Sequence, residues 1–533
     1  MMIKKMLSRS MLIMALLGSY LNATANTLDH SILVKGSFND KAEFILAFAQ
    51  SEQYEVDTIL LALSRGQLFF HKKTEALVIL KNQSEEYLLT VIDPSNALGE
   101  TLMIDSKRLY KKVRVNNRLR TLIKLELAKR QLVHETAAIR LQAASILLKQ
   151  ADEALLPLIE RQLAKETESV IKDKLELIKA IAQLQSDQSE NEAIKILATS
   201  LEPQALNSLK QFVERQPKHT EALEAIKTIE RKTSLFELLE NLFFGLSFGS
   251  VLVLAAIGLA ITFGVMGVIN MAHGELIMIG AYTAFVVQQL MPELIGLSIL
   301  VAIPAAFIVS ALVGIAMERL VIQYLKGRPL ETLLATFGIS LILQQAVRTI
   351  FSPLNRTVVT PEWLSGTWLI NPIFGLTLNR LAIVVFSLML FAALWVWMKR
   401  SRLGLQVRAV TQNRAMAQSL GVNATKVDML TFGLGAGIAG VAGVALSLIS
   451  NVGPNMGQGF IIDSFIVVVF GGVGNLLGTL IAGLSLGIAN KWLEPFAGAV
   501  LAKIILLIFI ILFIQKRPQG LFPAKGRSAE MSQ

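Results

Sequence analysis

The sequence contains no cysteine. That excludes disulfides, thiolate zinc sites, iron–sulfur clusters and cysteine nucleophiles. Charge is scarce too: Asp, Glu, Lys and Arg make up 17% of 533 residues, against 53% hydrophobic and a mean hydropathy of +0.54. An ordinary soluble enzyme carries about 25% charged residues. The deficit is uneven, with 62 charged residues in 1–235 and 29 in 236–533. The first part reads as soluble and the second as membrane-embedded. The net +11 divides as +4 and +7. In the apolar part a basic excess marks cytoplasmic loops and membrane lipid, not nucleic acid. His71, His134 and His219 lie far apart without metal-ligand spacing, so no metal or cofactor site is expected.

What is present begins with Lys4, Lys5 and Arg9, an apolar stretch from Met11 to Leu21, and Ala23-Thr24-Ala25. A basic start, a short apolar core and an A-x-A site form a secretory signal over residues 1–25. Eleven residues rise only about 16 Å as a helix, half a bilayer core. Residues 26–235 are therefore expected to be exported. Within them, 26–118 mixes short apolar runs with breakers, as in Glu75-Ala-Leu-Val-Ile-Leu80 and Tyr87-Leu-Leu-Thr-Val-Ile92 before Asp93-Pro94, and reads as α+β. Residues 119–235 turn helical. There Ala138-Ile-Arg140-Leu-Gln-Ala-Ala144 is echoed by Lys172-Asp-Lys174-Leu-Glu-Leu-Ile178 at an offset of 34, which suggests HEAT-like stacked helix pairs.

From 236 the pattern changes. Leu242 to Gly274 runs 33 residues without a charge, more than one span of about 20 requires, and Gly267–Asn270 is the expected break. Further spans follow near 274–291, 297–317, 331–351, 381–398, 428–450 and 496–515, with a Gly-punctuated stretch at 461–493. The fold class is a mostly α polytopic membrane protein. It has nine spans if 461–493 is a hairpin turning near Gly471–Asn475, or seven if it is re-entrant. Such broken segments belong to a transport pathway. Lys399, Arg400, Arg402, Arg408, Arg414 and Lys426 fall in 399–427 without an acid, so that loop is expected in the cytoplasm.

The run Phe263-Gly-Val-Met-Gly-Val-Ile-Asn270-Met-Ala-His273-Gly-Glu275 resembles the signature of LivH-type permeases of ABC importers. The resemblance covers about residues 238–527. Arg328-Pro-Leu-Glu-Thr-Leu-Leu-Ala-Thr-Phe-Gly-Ile-Ser-Leu-Ile-Leu-Gln344-Gln345 and Gly453-Pro-Asn-Met-Gly-Gln458 resemble the urea branch of that family more than the branched-chain amino acid branch. Arg517-Pro-Gln-Gly-Leu-Phe522 closes as the family does, so the permease domain is placed at 236–527 and a cytoplasmic tail at 528–533. The resemblance implies an importer subunit for urea and short amides in a bacterial inner membrane; it does not explain residues 26–235, which the signal-like start and an outside-to-inside first span place in the periplasm. The subunit's partners would be a second, LivM-like permease subunit, two ABC ATPase subunits and a periplasmic substrate-binding protein. A branched-chain amino acid permease and a passive urea channel are the alternatives. No G-x-x-x-x-G-K-[ST] loop occurs, so ATP hydrolysis would belong to the partners and no catalytic residue is expected.

The resemblance also assigns a coupling helix to Arg408-Ala-Val-Thr-Gln-Asn-Arg414-Ala415-Met-Ala417-Gln-Ser-Leu-Gly421-Val422. Small residues at Ala415 and Ala417 would admit an ATPase, and Gly421 would end the helix. For the path, Asn270, Gln344, Gln345, Asn451, Asn455 and Gln458 are amides in or beside apolar runs. They either line a route for a neutral solute or hydrogen-bond between spans. Gln344 and Gln345 cannot share a helix face. His273 and Glu275 follow the break and would shape a bend or gate. Lys503 either snorkels outward or pairs with Glu494. Protease added to spheroplasts is expected to clip residues 26–235 and spare 399–427; the reverse pattern would invert the topology.

Overall fold

The computed structural model describes residues 31–51, 56–83, 86–92, 98–104, 106–186 and 190–522. The signal-like start, Asp93-Pro94 and the 528–533 tail lie outside them. The chain packs as two compact units, residues 1–232 and 233–533.

The first unit opens with α1 (Ser31–Lys35), α2 (Phe38–Ala49) and α3 (Val56–Arg65). Ser37 and Asp40 form a reciprocal capping box on α2, satisfying two of the free N–H groups at a helix start. The backbone N–H of Ser37 holds the Asp40 carboxyl below its usual range. Next come β1 (Leu68–His71), β2 (Leu77–Gln83), β3 (Glu86–Ile92), β4 (Leu98–Ile104) and β5 (Tyr110–Lys112). They form an antiparallel sheet in the order β4-β3-β2-β1-β5. The strand expected from Glu75 begins two residues later, because Glu75 itself occupies a turn at φ 58°. His71 is buried, its Nδ1 3.0 Å from the Thr74 hydroxyl, and burial holds its pKa below the ordinary histidine value.

The rest of this unit is helical: α4 (Asn117–Gln131), α5 (Ala137–Leu148), α6 (Leu156–Leu163), α7 (Ser169–Gln185), α8 (Glu190–Thr199) and α9 (Pro203–Arg215). The two copies of the 34-residue echo lie on α5 and α7. Both feed one core, through Ala143, Ala144 and Leu147 from α5 and Ile171, Leu175 and Ile178 from α7. The echo extends to charge. Arg140 grips Glu166 through two N–H groups at 2.9 Å, and Lys174, 34 positions later, reaches Glu202 at 2.8 Å. Each acid stands just ahead of the next helix, α7 or α9, so the basic residue of one helix pair ties it to the following pair.

The boundary between the units falls within α10 (Thr220–Met266). Then come α11 (His273–Leu290), α12 (Ile295–Leu320), α13 (Pro329–Phe351), a small hairpin of β6 (Thr367–Leu369) and β7 (Gly375–Thr377), and α14 (Leu378–Arg400). Two short helices, α15 (Arg402–Gln412) and α16 (Arg414–Ser419), precede α17 (Ala424–Ser447), α18 (Met456–Gly471) and α19 (Leu476–Lys516). Six of the described helices are long and apolar enough to cross a membrane: α10, α12, α13, α14, α17 and α19. The 41-residue α19 is two helices joined where Gly498 leaves helical geometry at φ 78°, three residues after Pro495. The Gly-punctuated stretch is a hairpin, α18 turning into α19 over Gly472–Asn475. α11 and α18, at 18 and 16 residues, fall outside the six.

Prediction. Arg140 holds the buried Glu166 carboxyl down to about 2. A depressed carboxylate stabilises the fold above its unfolded value and loses that contribution as pH falls through the folded one. Amide hydrogen-exchange protection in α5 and α7 of the full chain should therefore decline from about pH 4.5 toward pH 2. Arg140→Ala should weaken that pH dependence and lower the protection of α5 and α7 at neutral pH, because Glu166 then keeps only the Gln162 amide and the Thr167 and Glu168 N–H groups as donors.

Candidate functional site

The site is built where α10 ends and the chain turns back. After Met266, Gly267 takes φ 63° and the chain leaves the helix until His273. His273 Nε2 lies 2.9 Å from the carbonyl oxygen of Ala255, eleven residues before the end of α10, or about 16 Å along that helix. Residues 267–272 therefore fold back along α10, and α11 begins inside the bundle. Asn270 is buried and its Oδ1 accepts the Ala272 N–H at 3.0 Å, which turns the chain into α11.

Two residues on, Glu275 is buried among helices. Its Oε1 accepts from Gln344 Nε2 at 2.7 Å and Ser340 Oγ at 2.9 Å. Both donors come from α13, the helix that also carries Arg348. Thr332, Thr336, Ser340, Gln344 and Arg348 recur at intervals of four, and the first four are buried. Residues four apart share a helix face, so α13 presents a polar stripe inward. Thr336 Oγ1 accepts the Met271 N–H at 3.2 Å, tying the stripe to the fold-back segment. Asn270 Nδ2, His273 Nδ1 and Glu275 Oε2 are buried without a partner among the described residues.

The stripe emerges at Arg348, whose guanidinium donates to Asn455 Oδ1 at 2.7 Å. Here a cleft of about 590 Å³ opens, lined on its polar side by Arg348, Asn355, Asn451 and Asn455 and on its apolar side by Met456 and Phe460. Among the described residues no acidic one lines it. The first turns of α11 and α18 abut beside it. A Cβ on Gly274 would stand 2.4 Å from the Gly457 carbonyl oxygen, and one on Gly457 would stand 2.1 Å from that of Gly274. Only glycine permits this approach, and it brings two helix N-termini, each a partial positive charge, close together.

The expected path residues thus separate. Asn270, His273, Glu275 and Gln344 join the inner cluster. Gln345 is exposed on the opposite side of α13, Asn455 belongs to the cleft, and Gln458 is exposed outside its lining. Ser340 and Arg348 were missed in the sequence, although the four-residue recurrence from Thr332 marks them. Lys503 meets Asp463 at 3.1 Å, not Glu494, which Lys491 holds at 2.6 Å. Lys491 stands three residues before Glu494 on the same helix, which brings the two together.

At the other ends of these helices the expected single helix over 408–422 is two. Asn413 breaks it with extended geometry and caps α16 by accepting the Met416 N–H at 2.9 Å. Ala417 is buried against Val407, Val410, Ala424 and Val427, so its small side chain serves internal packing, whereas Ala415 and Arg408 are exposed. Gly421 takes φ 86° after the helix end, as expected of a stop residue, with its N–H 2.9 Å from the Gln418 carbonyl oxygen. Left outside are Met416 and Leu420, 58% and 78% exposed. Arg414 and Lys326 both hold the buried carboxylate of Asp428, Lys326 at 2.5 Å, and Lys326 also lies 3.4 Å from the buried Glu318. Asp428 thereby anchors α16 to α17 and to the loop after α12.

The family described as branched-chain amino acid transport system, permease component, matches residues 241–514. The high-affinity branched-chain amino acid transport system permease protein BraD of Pseudomonas aeruginosa is 32% identical over 298 residues, 54% of this chain and 96% of that protein. The permease protein LivH of the corresponding Salmonella typhimurium system is 31% identical over 293 residues, 53% of this chain and 94% of LivH. The ribose import permease protein RbsC of Escherichia coli is 29% identical over 269 residues, 49% and 79% of the two chains. No solved structure matches.

Prediction. Glu275→Ala leaves Gln344 and Ser340 without their acceptor, so thermal unfolding in detergent should show a loss of about 1–3 kcal/mol. Gln345→Ala, on the exposed side, should stay within about 0.5 kcal/mol of the parent.

Proposed function

The chain belongs to the branched-chain amino acid transport system permease family, and we propose that it is the membrane permease subunit of an ATP-driven importer whose solute is an aliphatic amino acid. The cleft carries this reading. Its guanidinium and the two helix N-termini beside it suit a carboxylate. Met456 and Phe460 suit an aliphatic side chain, and the amide oxygens of Asn355 and Asn451 suit an ammonium. From there the stripe through Gln344 and Ser340 to Glu275 offers a second polar station on the way inward.

The urea reading has one observation in its favour, the asparagine amides, which would serve a neutral planar solute. Arg348 gives urea no charged partner, and the names of BraD and LivH favour the branched-chain reading as well. The cleft lies at the C-terminal end of α13, away from the end bearing Lys326, Arg328 and the 399–427 loop. With that basic end cytoplasmic, the cleft opens outward, where a periplasmic binding protein would deliver solute. Residues 26–235 would be periplasmic, following a cleaved signal. A second permease subunit and two ATPase subunits would complete the importer. The ATPase would dock on Met416 and Leu420, with α16 held in place by Arg414 and Asp428. The chain itself would perform no hydrolysis.

Prediction. Proteoliposomes holding the complete complex should take up leucine in an ATP-dependent way, and Arg348→Gln should reduce that uptake about tenfold or more, since a charge-assisted bond contributes about 1.5–3 kcal/mol. Leu420→Asp should abolish uptake while the protein still inserts. Urea uptake without leucine uptake by the parent complex would overturn the amino acid reading; uptake of leucine without ATP would overturn the importer.

A further inference from the structure

At one end of the five-stranded sheet two loops meet. The turn after β1 carries Lys72 and Lys73, and the loop entering β5 carries Lys107, Arg108 and Leu109. The Lys72 N–H donates to the Leu109 carbonyl oxygen at 3.0 Å, and Lys72 Nζ donates to that of Arg108 at 2.6 Å. The Tyr110 N–H closes the second loop on Lys107 at 3.0 Å. All four cations are exposed, and Lys111 adds a fifth on the adjoining strand.

Among the described residues none of these five is in an ion pair. Elsewhere in the same unit some cations are matched, among them Lys129 with Glu126, Arg130 with Asp57, Arg140 with Glu166 and Lys174 with Glu202, while others such as Arg118, Arg120 and Lys124 are in no ion pair among the described residues. Glu75, which follows the same turn, is already held by Lys35 at 2.7 Å. In the middle of the unmatched cations Leu109 stands 53% exposed. Hydrogen bonds hold its loop in place, so the leucine is displayed rather than left over from a poorly packed core. Cations around a projecting aliphatic side chain are the pattern of contact with a membrane surface, where headgroups meet the charges and the interfacial layer takes the apolar group.

We infer that this corner, Lys72, Lys73, Lys107 and Arg108 around Leu109, binds the anionic headgroup layer of a bilayer. Such a surface is always at hand, because the unit is covalently joined to one with six helices apolar enough to span a membrane, and tethering turns a weak contact into a populated one. Each cation near an anionic surface strengthens binding roughly fivefold, so four together give a contact that salt should weaken.

The absence of native cysteine allows a direct test. The full chain carrying Leu109→Cys, labelled with an environment-sensitive fluorophore, is placed in nanodiscs of phosphatidylcholine alone or with phosphatidylglycerol. Nanodiscs expose both leaflets, so the result does not depend on which side the unit occupies. A blue shift should appear in the anionic discs, diminish with salt, and vanish when Lys72, Lys73, Lys107 and Arg108 are all changed to glutamine. A label at Glu214→Cys, exposed on α9, should report no change, and unaltered circular dichroism would show that the quadruple variant is folded. An equal signal in neutral and anionic discs, a shift that survives the quadruple change, or one appearing only when an acidic partner protein is added would each overturn the inference.

Discussion

A carboxylate placed inside an apolar helix bundle has no water to turn to, and Glu275 imposes that constraint on the elements around it. Its donors have to come from another helix, and α13 supplies them through Gln344 and Ser340. That pairing fixes the rotation of α13 about its own axis, which carries Thr336 to the fold-back segment and Arg348 to the cleft. A neighbouring charge problem at the opposite end is solved in the same way, with Arg414 and Lys326 converging on Asp428. In both cases a buried acid decides which helices face one another, since leaving it unpaired costs more than any single apolar contact supplies.

Close packing around these acids depends on small residues. Gly280 and Gly443 let α11 and α17 approach until backbone atoms touch, as Gly274 and Gly457 do for α11 and α18. Where lipid replaces water, apolar side chains gain little by leaving it for one another, and intimate backbone contact becomes a main source of attraction between helices. The first unit follows the opposite logic. Its helices bury leucine, isoleucine and alanine from water into one core, and its repeated ion pairs set the register between successive helix pairs.

Much of the architecture was legible from composition. Charge density alone located a charge-rich part and an apolar part, and the structure divides the chain close to that boundary. The break before His273 was legible because a glycine interrupts a run that would otherwise continue as helix; the glycines at 471–474 marked a turn, but only the structure decides between a hairpin and a re-entrant segment. The coupling segment was legible only in part. Its basic residues and its terminal glycine could be read, but Asn413 was passed over as a helix breaker, and Ala417 was assigned to a partner when its own chain covers it.

What the sequence by itself determined was the division of the chain by charge density, the rough extent of its apolar segments, and the residue types available for polar contacts inside them. These follow from local composition and periodicity. The sequence did not determine which amide turns inward, that Lys503 meets Asp463 rather than Glu494, or that Asn355, Asn451 and Arg348 enclose one cleft. Those facts depend on helix rotation and on segments a hundred residues apart meeting in space. Only the tertiary structure decides them, because the rotation of each helix is set by all of its neighbours at once.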